Sequence, residues 1–270
     1  MKNLISILLI LLISVSVSAQ KGKWKKAQKE NTIEAYSFFI QSYPESEFFS
    51  LAMNKLCDLE YQKACKKNSI DSYKYYISKY HDCSYYSSAY DRLIELEFNS
   101  TIYNNTINGY KSYLNDYNNS KYSSIINDSL INHEYKKALQ KNNIEYYSYF
   151  LTNYNNSKYV EEIEFKKSVL ENNLLTYKDF LKKYPKSSYN DSIVINIEKI
   201  NIKLLKSAII NNQLDSVKLL APICKGLINK SLDEYSFLLF YAKDKDIIKT
   251  LVENGANINS INSRNQNCLN

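Results

Sequence analysis

Residues 33–46 read IEAYSFFIQSYPES, and this stretch decides the fold. Counting back from Tyr43, apolar side chains stand three (Ile40), four (Phe39), seven (Tyr36) and ten (Ile33) residues earlier. At 3.6 residues per turn these offsets fall on one face of a helix, whereas a strand would need strict alternation. Pro44 cannot continue the helix, so the segment ends at Tyr43.

The phrase then returns. Tyr80, Tyr117 and Tyr154 follow at steps of 37 residues, and Tyr184 follows at a step of 30. Ten residues before them stand Ile70, Ile107, Ile144 and Leu174; seven before, Tyr73, Tyr110, Tyr147 and Tyr177. Four before stand Tyr76, Tyr113, Phe150 and Phe180; three before, Ile77, Leu114, Leu151 and Leu181. Pro185, Asn118-Asn119 and Asn155-Asn156 take the stopping role of Pro44. Three residues after the Tyr, Ser46, Ser120, Ser157 and Ser187 read as N-caps that accept amides of the next helix. That helix runs to Asn68, Asn105 and Asn142-Asn143 and crosses Tyr61, Phe98 and Tyr135, in phase with Trp24. A second aromatic column, Phe48, Tyr85, Tyr122, Tyr159 and Tyr189, opens it.

The unit is therefore one long and one short helix, antiparallel, and the fold class is all-α. One such pair cannot bury both its faces, so stability comes from stacking on its neighbours. The shorter fifth step removes seven residues, about two helical turns, and keeps the same face inward. Phe165 then takes the place of Tyr135, and the recurring Tyr is expected in the core.

The phrase Ile-x-x-Tyr-x-x-Phe-Ile-x-x-Tyr-Pro-x-Ser resembles tetratricopeptide-type repeats, in the divergent form of periplasmic and outer-membrane assembly proteins. The period is 37 residues rather than the usual ~34, and the long helix lacks a Leu-Gly pair. The resemblance covers about residues 21–200 and implies an αα-hairpin solenoid that binds proteins.

After about Ile202 a different phrase begins. Leu205 to Ala208 and Leu214 to Leu220 read as two short helices, matched by Leu238 to Ala242 and Asp246 to Val252. The stretch Leu251-Val252-Glu253-Asn254-Gly255-Ala256-Asn257-Ile258-Asn259 is similar to the helix end and turn of ankyrin repeats. Gly255 would supply the positive-φ stop, and Asn257 to Asn262 the turn. This second resemblance covers about residues 203–270 and again implies partner binding. Asn265 to Asn270 occupies the start of a further repeat, so the array reads as incomplete, with a frayed tail after about Asn259.

Lys2, an apolar run from Leu4 to Val17, and Val17-Ser18-Ala19 describe a secretory signal peptide cut after Ala19. The reading is thus residues 1–19 signal peptide, 20–201 hairpin array, and 202–270 ankyrin-like array. It predicts an exported chain, periplasmic, envelope-bound or extracellular, with no transmembrane span after cleavage. The excess of Asn, Lys, Ile and Tyr reads as a bias of the whole coding sequence.

Catalytic and cofactor chemistry finds little support in these residues. Four Gly make no phosphate loop. His133 has Lys137 four residues on, so the two-His zinc pattern fails. His81-Asp82-Cys83 places a thiol beside a base, but adjacent residues rarely reach each other in catalytic geometry. No cofactor, metal or catalytic residue is expected. The net charge of +7 is spread along the chain, which excludes a nucleic-acid domain.

Lysines do recur late in the long helices: Lys25, Lys26, Lys63, Lys66, Lys67, Lys136, Lys137, Lys166 and Lys167. They either complement helix C-termini or form a basic stripe that draws an acidic partner. If the hairpin reverses near Ser69, Cys57 and Cys83 fall opposite each other, which predicts a disulfide. Cys65 reads as a small buried residue. The expectation is a non-enzymatic scaffold for protein partners. The alternative is a module that binds an envelope polyanion or membrane surface through the lysines.

Overall fold

The structure, a computed structural model, describes residues 20–229 and 238–261. The expected signal peptide and the tail from residue 262 lie outside the described residues. The chain forms two compact units, Met1–His133 and Glu134–Asn270, each described by itself.

It is an all-α array of helical hairpins, with no strand among the described residues. In the first unit α1 (20–30) pairs with α2 (Ile33–Ser42), α3 (Phe49–Lys67) with α4 (Ile70–Lys79), and α5 (Tyr86–Asn104) with α6 (Ile107–Asp116). Helix α7 (Ser123–Lys141) contains the unit boundary; its last turns pair with α8 (Ile144–Asn153) in the second unit. There α9 (Val160–Glu171) pairs with α10 (Leu174–Lys183), followed by α11 (Asn190–Ile210) and α12 (Leu214–Ile223). A 3₁₀ turn (Leu238–Tyr241) and α13 (Lys245–Glu253) complete it. Helices α3, α5 and α7 have 19 residues each and α9 has 12, so the short fifth step is a seven-residue deletion within one long helix.

The hairpin corner is made by two consecutive residues. Asn31, Asn68, Asn105, Asn142 and Asn172 end the long helices in the left-handed region, with φ from 44° to 50°. That region costs a β-carbon-bearing residue about 1–2 kcal/mol, and Asn enters it most readily. The next residue, Thr32, Ser69, Thr106, Asn143 or Asn173, caps the short helix by accepting from the amide three positions on. In four corners the Asn side chain is fixed as well. Tyr36, Tyr110, Tyr147 and Tyr177 donate their hydroxyls to Oδ1 of Asn31, Asn105, Asn142 and Asn172, at 2.6–3.1 Å. At the fifth, Asn68 accepts instead from Arg92 Nε at 3.1 Å. The asparagines at these positions are therefore favoured by backbone geometry and not only by composition.

The inner face of each short helix is the expected one. Tyr36 and Phe39, and their counterparts through Tyr177 and Phe180, are buried. Hairpins join by flat ring stacking: Trp24 on Phe48, Tyr61 on Tyr85 and Phe98 on Tyr122 in the first unit; Tyr135 on Tyr159 and Phe165 on Tyr189 in the second. Centroids lie 3.9–5.7 Å apart and planes within 10°. Phe165 thus holds the place of Tyr135 despite the deletion.

Two expectations need correcting. The recurring Tyr43, Tyr80, Tyr117, Tyr154 and Tyr184 are C-caps of the short helices and only half-buried, not core. Nor are the serines N-caps. Ser46, Ser120 and Ser187 accept from the amide two residues on, within a turn that precedes the long helix, whose own N-cap is the following aromatic.

At the C-terminal end, Leu205 to Ala208 is not a separate short helix. No Pro or Gly interrupts residues 190–210, so α11 runs continuously from the last Tyr phrase into the second pattern. Its Leu205 and Ile209 pack with Val217, Ala221, Leu238, Ile247 and Leu251 in one core. Gly255 has φ 95° after α13. The Asn229 side chain spans this turn, donating to Gly255 O and accepting from the Asn257 amide, both at 2.7 Å.

The repeats differ in one buried hydrogen bond. Tyr113 OH meets Ser120 Oγ at 3.0 Å. In the second hairpin Cys83 replaces that Ser, and Tyr76 OH has no hydrogen-bond partner among the described residues. In the fourth Phe150 replaces the Tyr, and Ser157 Oγ is the one without a partner. A buried hydroxyl left unpaired costs about 1–3 kcal/mol. Phe150→Tyr should therefore raise stability in urea unfolding by roughly 0.5–1.5 kcal/mol, and Tyr76→Phe should be neutral or stabilising. A loss above about 1 kcal/mol in either would contradict this account.

Candidate functional site: grooves within the hairpins

The first, second and fifth hairpins each carry a surface groove between the end of the long helix and the start of the short one. In the first, Lys23, Lys26, Ala27 and Glu30 face Thr32, Glu34, Ala35 and Phe38 across ≈ 230 Å³. In the second, Glu60, Lys63, Ala64 and Lys67 face Ser69, Asp71, Ser72 and Tyr75 across ≈ 410 Å³. These residues correspond one to one at the 37-residue period. The floor is a buried Ala, and one wall is an aromatic ring left exposed: Phe38 at 63% and Tyr75 at 49%. The same positions of the fourth hairpin hold Glu134, Lys137, Ala138, Lys141, Glu145 and Tyr149, with Tyr149 at 41%. The third hairpin has Ser100, Asn104, Asn108 and Ser112 there instead. The fifth keeps a groove, with Lys167, Glu171 and Asp179, but no exposed ring.

A carboxylate column lies beneath these grooves. Glu60, Glu97, Glu134 and Glu164 each immediately precede a stacking aromatic, and Glu60 and Glu134 are buried. Burial, and then the neighbouring Glu60 and Glu134, push the Tyr80 and Tyr154 hydroxyls well above the usual tyrosine range. Lys74 bonds Glu97 at 2.7 Å and Lys183 bonds Glu164, and these contacts raise both ammonium groups. Buried Glu60 is thus held between the Tyr80 phenol and the Lys63 ammonium, and half-buried Glu164 between Tyr184 and Lys183. The sequence reading missed this column, although Glu before each stacking aromatic was a readable signal.

The lysine stripe is less basic than its sequence. Lys26 pairs with Glu30 at 3.6 Å, Lys63 with Glu60 at 3.3 Å, Lys166 with Glu162 at 3.7 Å, and Lys167 with Glu171. Lys25, Lys66, Lys67 and Lys136 are exposed, and Lys137 lies 5.6 Å over the Tyr146 ring. Lys141, which the reading did not single out, lies 5.7 Å over the same ring. In the third hairpin the stripe is interrupted by Asn99 and Ser100.

The structure joins Cys57 to Cys83 in a disulfide, with Cα atoms 6.0 Å apart. The Cys83 sulfur is therefore no thiol, and His81 beside it contacts exposed Asp82 at 3.0 Å. Cys65 is exposed, not buried: it follows inward-facing Ala64 and so rotates about 100° off the core face. Cys224 is buried, which raises its thiol pKa. His133 Nε2 contacts Asn105 Oδ1 at 2.9 Å. Among the described residues there is no group of three or more His, Cys, Asp or Glu placed to hold a metal. Among them, too, no helix is long and apolar enough to cross a membrane.

No family model matches the chain, and no curated protein matches it.

The cysteines give a direct test. Cys57→Ser with Cys83→Ser should lower unfolding free energy by roughly 2–4 kcal/mol, as expected for a loop of 26 residues. A thiol reagent should label Cys65 in the native chain and Cys224 only on unfolding. Equal labelling rates at the two would contradict the placement.

Proposed function

We propose that this chain is an exported, non-enzymatic adaptor that holds protein partners on its helical-repeat surfaces. The tetratricopeptide-like hairpins and the ankyrin-like segment supply a rigid frame. Repeat arrays of this kind act through exposed faces, because their stacking consumes the inner ones. The observation that carries the reading is an apolar pair on the C-terminal unit. Leu219 and Ile223 stand one turn apart on α12 at 73% and 63% exposure, although Val217 and Ala221 on the same helix are fully buried. Exposed aliphatic side chains grouped on one helix face suit a protein contact. The pairing of four stripe lysines with nearby glutamates argues against a surface built for polyanions.

The adaptor reading is tested by capture from envelope extract, with the chain starting at Gln20 as bait. Leu219→Ser with Ile223→Ser should leave stability within about 0.5–1 kcal/mol and remove the proteins held by the parent chain. Capture unaffected by the two substitutions, or abolished by moderate salt alone, would contradict it.

A further inference from the structure

The positive charge is diffuse over whole arrays but concentrated at one element. Helix α1 reads QKGKWKKAQKE and sets five exposed lysines, Lys21, Lys23, Lys25, Lys26 and Lys29, against the single carboxylate of Glu30. Residues 31–200 hold 20 Lys and Arg against 21 Asp and Glu, so the positive excess of the hairpin array resides in α1. Only Lys26 meets a carboxylate, Glu30 at 3.6 Å. The other four have no ion pair among the described residues, which include Glu34, Glu45 and Glu47 of the same hairpin. Lys21, Lys25 and Lys29 recur at every fourth residue and form one line along the helix, with about 6 Å of rise between neighbours.

Nothing in the fold asks for this sign. A terminal repeat needs a polar outer face, which glutamates would supply equally well. In the chain that starts at Gln20, Lys21 and Lys23 fall in the first turn beside the α-amino group, where the helix dipole disfavours cations. Like charges four residues apart add repulsion. The corresponding positions of the next two long helices hold carboxylates, Asp58 with Glu60 and Glu95 with Glu97. Lysines kept where local electrostatics opposes them mark a surface that serves something outside the fold.

We infer that α1 docks the chain on an anionic phospholipid surface, a contact additional to any protein partner. The apolar side chains of α1, Trp24 and Ala27, are both buried. The helix therefore offers no anchor of the kind around which protein interfaces are built. A bilayer needs none, because its anionic headgroups diffuse to the charges, and about 4–8 basic residues on one helix suffice to hold it. The exposed Phe38 ring lines the groove with Lys23 and Lys26, whereas Lys21, Lys25 and Lys29 do not line it. The helix also follows the apolar export segment read in residues 4–17, which brings it to a bilayer ahead of the rest of the chain. Of the four stripe lysines paired with glutamates, only Lys26 belongs to α1, so the neutralised stripe and this face are separate. The α12 surface takes no part, and either reading can fail without the other.

The test is sedimentation of the chain starting at Gln20 with vesicles of phosphatidylcholine, alone or with about 30% phosphatidylglycerol. Binding should require phosphatidylglycerol and disappear at about 0.5 M salt. Lys21→Gln with Lys25→Gln and Lys29→Gln should weaken it roughly a hundredfold. That variant should melt at or above the temperature of the parent chain, because repulsion within the helix is relieved. Arginine at the same three positions should retain binding, as should Leu219→Ser with Ile223→Ser. Lys66→Gln with Lys67→Gln and Lys136→Gln, which neutralises exposed lysines of other hairpins, should change it by less than about twofold. Absence of binding to the phosphatidylglycerol vesicles overturns the proposal, as does equal binding to phosphatidylcholine alone. An equal loss in the two glutamine variants overturns the assignment to α1. Soluble polyglutamate that holds the chain as tightly as the vesicles, at equal anionic charge, overturns the assignment to lipid.

Discussion

The flat stacking of one aromatic ring on another, 24 residues further along, is the contact on which the array depends. It joins the long helix of one hairpin to the entry of the next. A hairpin of about thirty residues cannot exclude water from both its faces, so its stability resides in such joints. The separation of 24 residues survives where the period drops from 37 to 30. Seven residues are about two helical turns, and their removal from the first half of α9 leaves Phe165 at the same azimuth as Tyr135. Loss of five or six residues would have rotated the ring away from its partner.

The corner and the joint divide the work. A left-handed Asn followed by a capping residue reverses the chain in two positions, and the inward Tyr hydroxyl locks the Asn side chain in four of the five corners. Variation is tolerated one step away. The Tyr76/Cys83 and Phe150/Ser157 pairs each lose the hydrogen bond that Tyr113 and Ser120 keep. In the second hairpin the disulfide to Cys57 ties the same turn covalently to α3. The outer positions vary most: Lys and an exposed ring recur in some hairpins, whereas the third carries Ser100, Asn104, Asn108 and Ser112 there.

The period, the buried helix face, the stacking columns and the in-phase deletion could all be read from the sequence, because each is a column of like side chains. The corner was harder to read. Asn is abundant throughout the chain, so its obligatory copies at Asn68 or Asn142 do not stand out by composition. Ser46 and its counterparts looked like caps because a three-residue turn, invisible to spacing alone, separates them from the helix they precede. The Glu60 column was passed over because a carboxylate beside an aromatic reads as surface until its burial is seen. The lysines were visible as residues, but their pairing with Glu30, Glu60, Glu162 and Glu171 depends on side-chain reach.

The most direct test of the account is the coupling between Phe165 and Tyr189, the joint that the deletion should have broken if register did not govern stacking. Unfolding free energies of Phe165→Leu, Tyr189→Leu and the double variant define that coupling. The account predicts a favourable interaction of roughly 0.5–1.5 kcal/mol between the two rings. Additive effects within about 0.3 kcal/mol would contradict it.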